Sequence, residues 1–142
     1  LGCIEQYASG NALVRFARAG ARQEPDRATI LLELADGDVE SVTGPMVTAA
    51  ARSGDPVSRA AFAQIGRWLG IGLADMAQIL DPEVLVVGGG VVEAGELLMG
   101  PTRQAFTEAL AARAAIPVAE IRPAELGNIA GVVGAADLAR RR

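Results

Sequence analysis

The chain has 142 residues, enough for one domain or for half of a two-lobed protein. Its apolar share of 51% is mostly Ala, Val, Leu and Ile, with three Phe, one Trp and one Tyr, so close-packed helices and buried strands are favoured over an aromatic binding surface. A net charge of −4 spread without blocks, the absence of histidine and a single cysteine argue against a nucleic-acid surface, a Ser-His-Asp triad, a histidine-ligated metal supplied by this segment alone and an internal disulfide.

In chain order, Glu5 to Ala19 reads as helical, in two pieces broken at Ser9-Gly10. Ser9 or Asn11 suits the cap of the second piece, Leu13, Phe16 and Ala17 share a face, and Gly20 suits its C-cap. Between Gln23 and Thr43, Pro25 and the run Ala28 to Leu34 predict a short helix ending near Gly37, by weight of Ala, Leu and Glu. The alternative is a hairpin turned by Asp36-Gly37, between Ile30–Leu34 and Val39–Val42. Gly44 to Ser53 reads as a small Ala-rich helix.

Asp55-Pro56 is an N-cap followed by proline at the first helical position. Phe62, Ile65, Leu69, Leu73, Met76 and Leu80 then step by three and four, which predicts a core helix of about seven turns ending at Asp81-Pro82. Val84-Leu85-Val86-Val87 is apolar on both faces and predicts a buried parallel strand rather than an edge. After Gly88-Gly89-Gly90, a helix is expected from roughly Gly95 to Ala115, with Leu97, Leu98, Phe106 and Leu110 as core and Pro117 as its stop. Val118 to Arg122 reads as a strand, and Asn128 as the cap of a last helix through Gly131, Gly134 and Ala135 to Arg140-Arg141-Arg142. Those arginines suit the negative pole of a helix better than a nucleic-acid patch, which no aromatic or second basic cluster supports. The rhythm helix, strand, helix, strand, helix is that of an α/β unit.

Three places offer chemistry. The glycine triplet follows a strand and precedes a helix, where open α/β sheets bind ligands and where backbone amides can approach a phosphate or ribose; a tight strand-to-helix turn explains it equally well. The Gly/Ala-rich stretch Leu126 to Ala136 has low helix propensity, which close packing or the wall of a nucleotide pocket would offset. Cys3 and Glu5, taken by themselves, read as a small apolar residue and a solvated acid.

Gly2-Cys3-Ile4-Glu5 followed by Tyr7-Ala8-Ser9-Gly10 resembles the end of the zinc signature of the ROK family of sugar kinases, which closes in G-C-x-E. Gly54-Asp55, Asp81-Pro82-Glu83, Gly88-Gly89-Gly90-Val91 and Gly131-Val132-Val133-Gly134-Ala135-Ala136 fall in the order that family shows, over almost the whole chain. Thr43-Gly44-Pro45-Met46-Val47-Thr48 is similar to actinobacterial ROK glucokinases. The resemblance implies that residues 1–142 form the C-terminal lobe of the actin-like ATPase (RNase H-like) fold, an α/β lobe with a parallel or mixed sheet and long helices.

It further implies a parent kinase that uses ATP and Mg2+ to convert glucose to glucose 6-phosphate. The alternative is the sugar-sensing and oligomerisation domain of a ROK transcriptional repressor. Within that frame Glu5 matches the glutamate that accepts from sugar hydroxyls, Gly88, Gly89 and Gly90 match the adenosine motif, and Gly131–Ala136 matches the element closing the lobe. Cys3 matches the last thiolate of a zinc (Zn2+) site of three cysteines and one histidine; the other ligands are absent here, so no zinc is expected on this chain. The D-x-G-x-T phosphate loop, the Asn-Asp pair with the catalytic base and the E-x-G-H segment are also absent. The chain, which begins Leu1-Gly2 without a methionine, is therefore expected to be a fragment, with no catalytic residue and no activity alone. A cytoplasmic homo-oligomer without nucleic-acid or membrane partners completes the expectation.

Overall fold

Asp55 organises the first half of the chain. In the computed structural model, which describes residues 2–113 and 119–140, this aspartate is fully buried and caps two helices at once. Its Oδ1 accepts from Ser58 N at 2.8 Å at the start of α4 (Pro56–Leu80), and its Oδ2 accepts from Leu31 N at 3.2 Å in the first turn of α2 (Thr29–Leu34). Each bond satisfies an amide that helix geometry leaves without a carbonyl. Around this pair pack α1 (Gly10–Gln23) and α3 (Gly44–Arg52), and Leu13, Leu31, Val47, Phe62 and Ile65 form the shared core.

The helical reading of Gln23 to Thr43 is correct. Asp36 and Gly37 both take positive φ, 51° and 79°, and serve as a helix stop rather than a hairpin turn: Gly37 N donates back to Leu32 O at 2.8 Å. The segment that follows is held to α1 by Arg18, whose Nη2 donates to Val42 O at 2.9 Å. Asp38 accepts from the Ser41 hydroxyl at 2.6 Å, and that bond, aided by the amide of Glu40, lowers its carboxyl pKa below the ordinary value.

Ser9 caps α1 as its spacing predicts, accepting from Ala12 N at 3.2 Å, and the preceding piece is a short 3-10 turn, Ile4–Gln6. Gly20 does not end α1. The helix continues to Gln23, and Gly20 instead lies against Val57 of α4, where a Cβ would stand 2.8 Å from its Cγ1.

α4 links two cores. Its second half packs on α5 (Glu96–Ala112) through Gly66 and Gly70; a Cβ on Gly70 would lie 2.8 Å from both Ala105 Cβ and Phe106 N, so the two backbones meet directly. Leu73, Met99, Phe106 and Leu110 cover one face of a two-stranded parallel sheet, β1 (Val84–Val87) beside β2 (Glu120–Pro123), with Leu85 opposite Ile121. α6 (Ala130–Arg140) follows.

Several expectations are corrected here. Met76 and Leu80 are 46% and 64% exposed, because α4 outruns its partners and the end of its apolar stripe meets no cover. β1 is buried on one face only: Leu85 and Val87 point into the core, whereas Val86 is 66% exposed, since among the described residues helices pack on a single side of the sheet. α5 closes at Ala112, and the last residues of that expected helix, Pro117 and Val118 lie outside the described residues. Asn128 sits inside a 3-10 turn, Gly127–Ile129, rather than at the start of α6. Close packing of the Gly/Ala-rich helix is not seen, for none of its residues is buried and a Cβ on Gly131 or Gly134 would meet nothing within 4 Å.

Candidate functional site

The site begins where β1 ends. Val87 O accepts from Ala124 N at 2.8 Å, and the chain then leaves the sheet through Gly88-Gly89-Gly90. Gly89 has φ 103° and ψ 164°, a conformation that side-chain-bearing residues essentially never hold. From Gly90 to Ala94 the backbone winds as a 3-10 turn, with Val92 N donating to Gly89 O at 3.1 Å, and a further positive-φ glycine, Gly95, opens α5. The triplet is thus a turn, as the simpler reading of the sequence has it.

The turn also leaves room. A cavity of about 270 Å³ lies between Gly88–Val92 and the segment Ala8-Ser9-Gly10, floored by Ile65, Leu69 and Leu98. Gly10 brings the start of α1 against the corner, where a Cβ would lie 3.4 Å from Val91 Cγ2. The positive pole of a 14-residue helix, α1, therefore borders the same space as the glycines. A second, larger groove of about 550 Å³ shares Gly10, Gly90 and Val91 and runs on to α3, past Pro45, Thr48 and Arg52. Thr48 Oγ1 donates to Gly44 O at 3.1 Å, and Arg52 Nη2 donates to Glu93 O at 3.0 Å, tying α3 to the turn after the glycines.

Of the residues singled out from sequence, the fold brings Gly88, Gly89 and Gly90 together around open space. Cys3 and Glu5 line neither cavity; both are exposed on or beside the short turn before α1. That turn is anchored by Tyr7 against Trp68, ring centroids 5.0 Å apart, and by Ile4 lying over Gly72. Among the described residues no three His, Cys, Asp or Glu side chains are grouped to hold a metal. Nor is any helix among the described residues long and apolar enough to cross a membrane.

Sequence reasoning missed Ser9-Gly10 and the α3 residues as walls of this space. By propensity and spacing Ser9 gave a capping signal and α3 its Ala content, and the resemblance of both segments to a family said nothing of their meeting with Gly90, which joins positions about 40 to 80 residues apart.

The architecture is α/β and mostly helical, and its small parallel sheet ends in a glycine-lined corner. The ROK family description matches residues 1–142, and the chain belongs to that family. It is 47% identical over 139 residues to a glucokinase of Streptomyces coelicolor, an alignment covering 98% of this chain and 44% of that protein. The crystal structure of a ROK family glucokinase from Streptomyces griseus, in complex with glucose and AMPPNP, superposes with a TM-score of 0.93 at 48% identity, over 99% of this chain and 45% of that one. A ROK hexokinase from Thermus thermophilus superposes at 0.70 with 32% identity, over 96% and 40%. The chain spans less than half the length of these relatives.

Proposed function

We propose that this chain is the C-terminal lobe, in the actin-like ATPase fold, of an ATP-dependent hexose kinase that transfers the γ-phosphoryl group to the 6-hydroxyl of glucose. The observation that carries the reading is the open corner at Gly88-Gly89-Gly90, with a helix start on its far side. Backbone without side chains approaches a nucleoside and its phosphates there, and the pole of α1 favours negative charge. The likeness to an enzyme crystallised with glucose and AMPPNP supports this, and the relatives above are kinases by name, which favours a kinase over a sugar-sensing repressor.

In this reading Gly88, Gly89 and Gly90 lie against the adenosine and Glu5 accepts from sugar hydroxyls. The remainder of a parent enzyme supplies the phosphate loop, the Mg2+ site and the aspartate that takes the hydroxyl proton. Cys3 would give one thiolate to a zinc site completed by parent residues. The lobe alone is inactive, and the parent assembles as a homo-oligomer.

The full-length parent is expected to form glucose 6-phosphate from glucose and ATP, and to lose that activity when the aspartate of the Asn-Asp pair becomes alanine. Glu5→Gln should lower kcat/KM for glucose about a hundredfold, the scale of losing charge-assisted hydrogen bonds to a hydroxyl. An intact parent that turns over no ATP with any hexose would defeat the proposal.

A further inference from the structure

We infer that Thr48 reads the purine base of the phosphate donor and sets a preference for a 6-amino purine over a 6-oxo purine. The inference rests on the nucleotide reading above and adds to it a residue and a direction of selectivity.

The two cavities differ in character. The smaller one is bordered by the glycine backbone and the start of α1, groups suited to phosphate and ribose. The larger one opens across the shared wall Gly90-Val91 and is bounded by Leu13, Pro45, Ala49, Val91 and Ala94, carbon surfaces that suit the faces of a flat heterocycle. A nucleotide lying across Gly90-Val91 with its phosphates toward Ser9-Gly10 places its base in this larger groove.

Within the groove Thr48 is the half-buried side chain with a hydroxyl. Its proton is committed: Oγ1 donates to Gly44 O one helical turn back, at 3.1 Å. With its proton so placed, the Thr48 oxygen turns its lone pairs toward a ligand in the groove. An exocyclic amino group at position 6 of a purine can donate to them, whereas a carbonyl oxygen there would face them lone pair to lone pair. Arg52 is exposed at the rim of the groove and gives one guanidinium N–H to Glu93 O, whereas Thr48 is half-buried within it.

ATP and ITP differ only along the edge of the purine formed by positions 1 and 6, so their ratio reports on how that edge is read. In the full-length parent, Thr48→Val should reduce the ratio of kcat/KM for ATP to that for ITP about tenfold, the scale of one hydrogen bond. Thr48→Ser should restore most of the ratio, which a purely structural role for the methyl group would not do. An active parent whose ATP-to-ITP ratio is the same with Thr and Val at position 48 overturns this inference and leaves the kinase reading standing. A parent inactive with every nucleoside triphosphate overturns both.

Discussion

Replacing Gly89 with valine in the full-length parent should cut kcat/KM for ATP on the order of a hundredfold. The cost does not come from crowding, because a Cβ at this position would meet nothing within 4 Å. It comes from the backbone: φ 103° with ψ 164° belongs to a region only glycine occupies readily, and a β-branched residue relaxes toward negative φ. That rotation turns the peptide planes on either side of residue 89, moving the amides and carbonyls that border the cavity. Steady-state kinetics with ATP varied gives the readout. Gly37→Val serves as the control, since Gly37 also has positive φ, 79°, but lies at the end of α2, away from both cavities. Equal ATP kinetics for the Gly89 variant and the wild type would show that the corner does not hold the nucleotide.

The second large effect is on stability. Asp55→Ala should cost about 3 kcal/mol, which combines the loss of an N-cap with the exposure of a second buried amide to no partner. Both Ser58 N and Leu31 N depend on this one carboxylate, and the residue is 0% exposed, so water cannot take its place. Asp55→Asn keeps one acceptor oxygen and should cost roughly half as much. The midpoint of urea denaturation orders the three proteins; an alanine variant within about 0.5 kcal/mol of wild type would mean the double cap contributes little.

How far these features were legible in the sequence depends on their range. Asp55-Pro56 announces α4 because capping and the fixed φ of proline act within four residues, and the cap bond to Ser58 follows directly. The second bond, to Leu31, joins residues 24 apart, and no local rule reports it. The 3-4 stepping of Phe62, Ile65 and Leu73 located the core face of α4, but the same stepping ran on to Met76 and Leu80, where no neighbour arrives to bury it. An apolar pattern records what a segment can bury, and only tertiary contact decides whether it does. The same holds for Val84 and Val86 on the open face of β1, and for Val132 and Leu138 on α6, which are 72% and 70% exposed.

The candidate site was partly legible. Three consecutive glycines after an apolar strand mark a corner by strand geometry and glycine freedom alone. That the corner stands open, that α1 starts beside it and that α3 extends it into a second groove are facts of packing. Cys3 and Glu5 carried no signal of their own in periodicity or spacing; only the resemblance of Gly2-Cys3-Ile4-Glu5 to a family pattern singled them out, and in the fold both are exposed and line neither cavity.

Amide hydrogen exchange of the full-length parent with and without AMPPNP tests the central claim most directly. The account predicts that nucleotide slows exchange at Gly88–Val92 and in the first turn of α1, with a second protected patch along α3. Protection confined to other parts of the protein, with the amides of Gly88 to Val92 exchanging at unchanged rates, would contradict it.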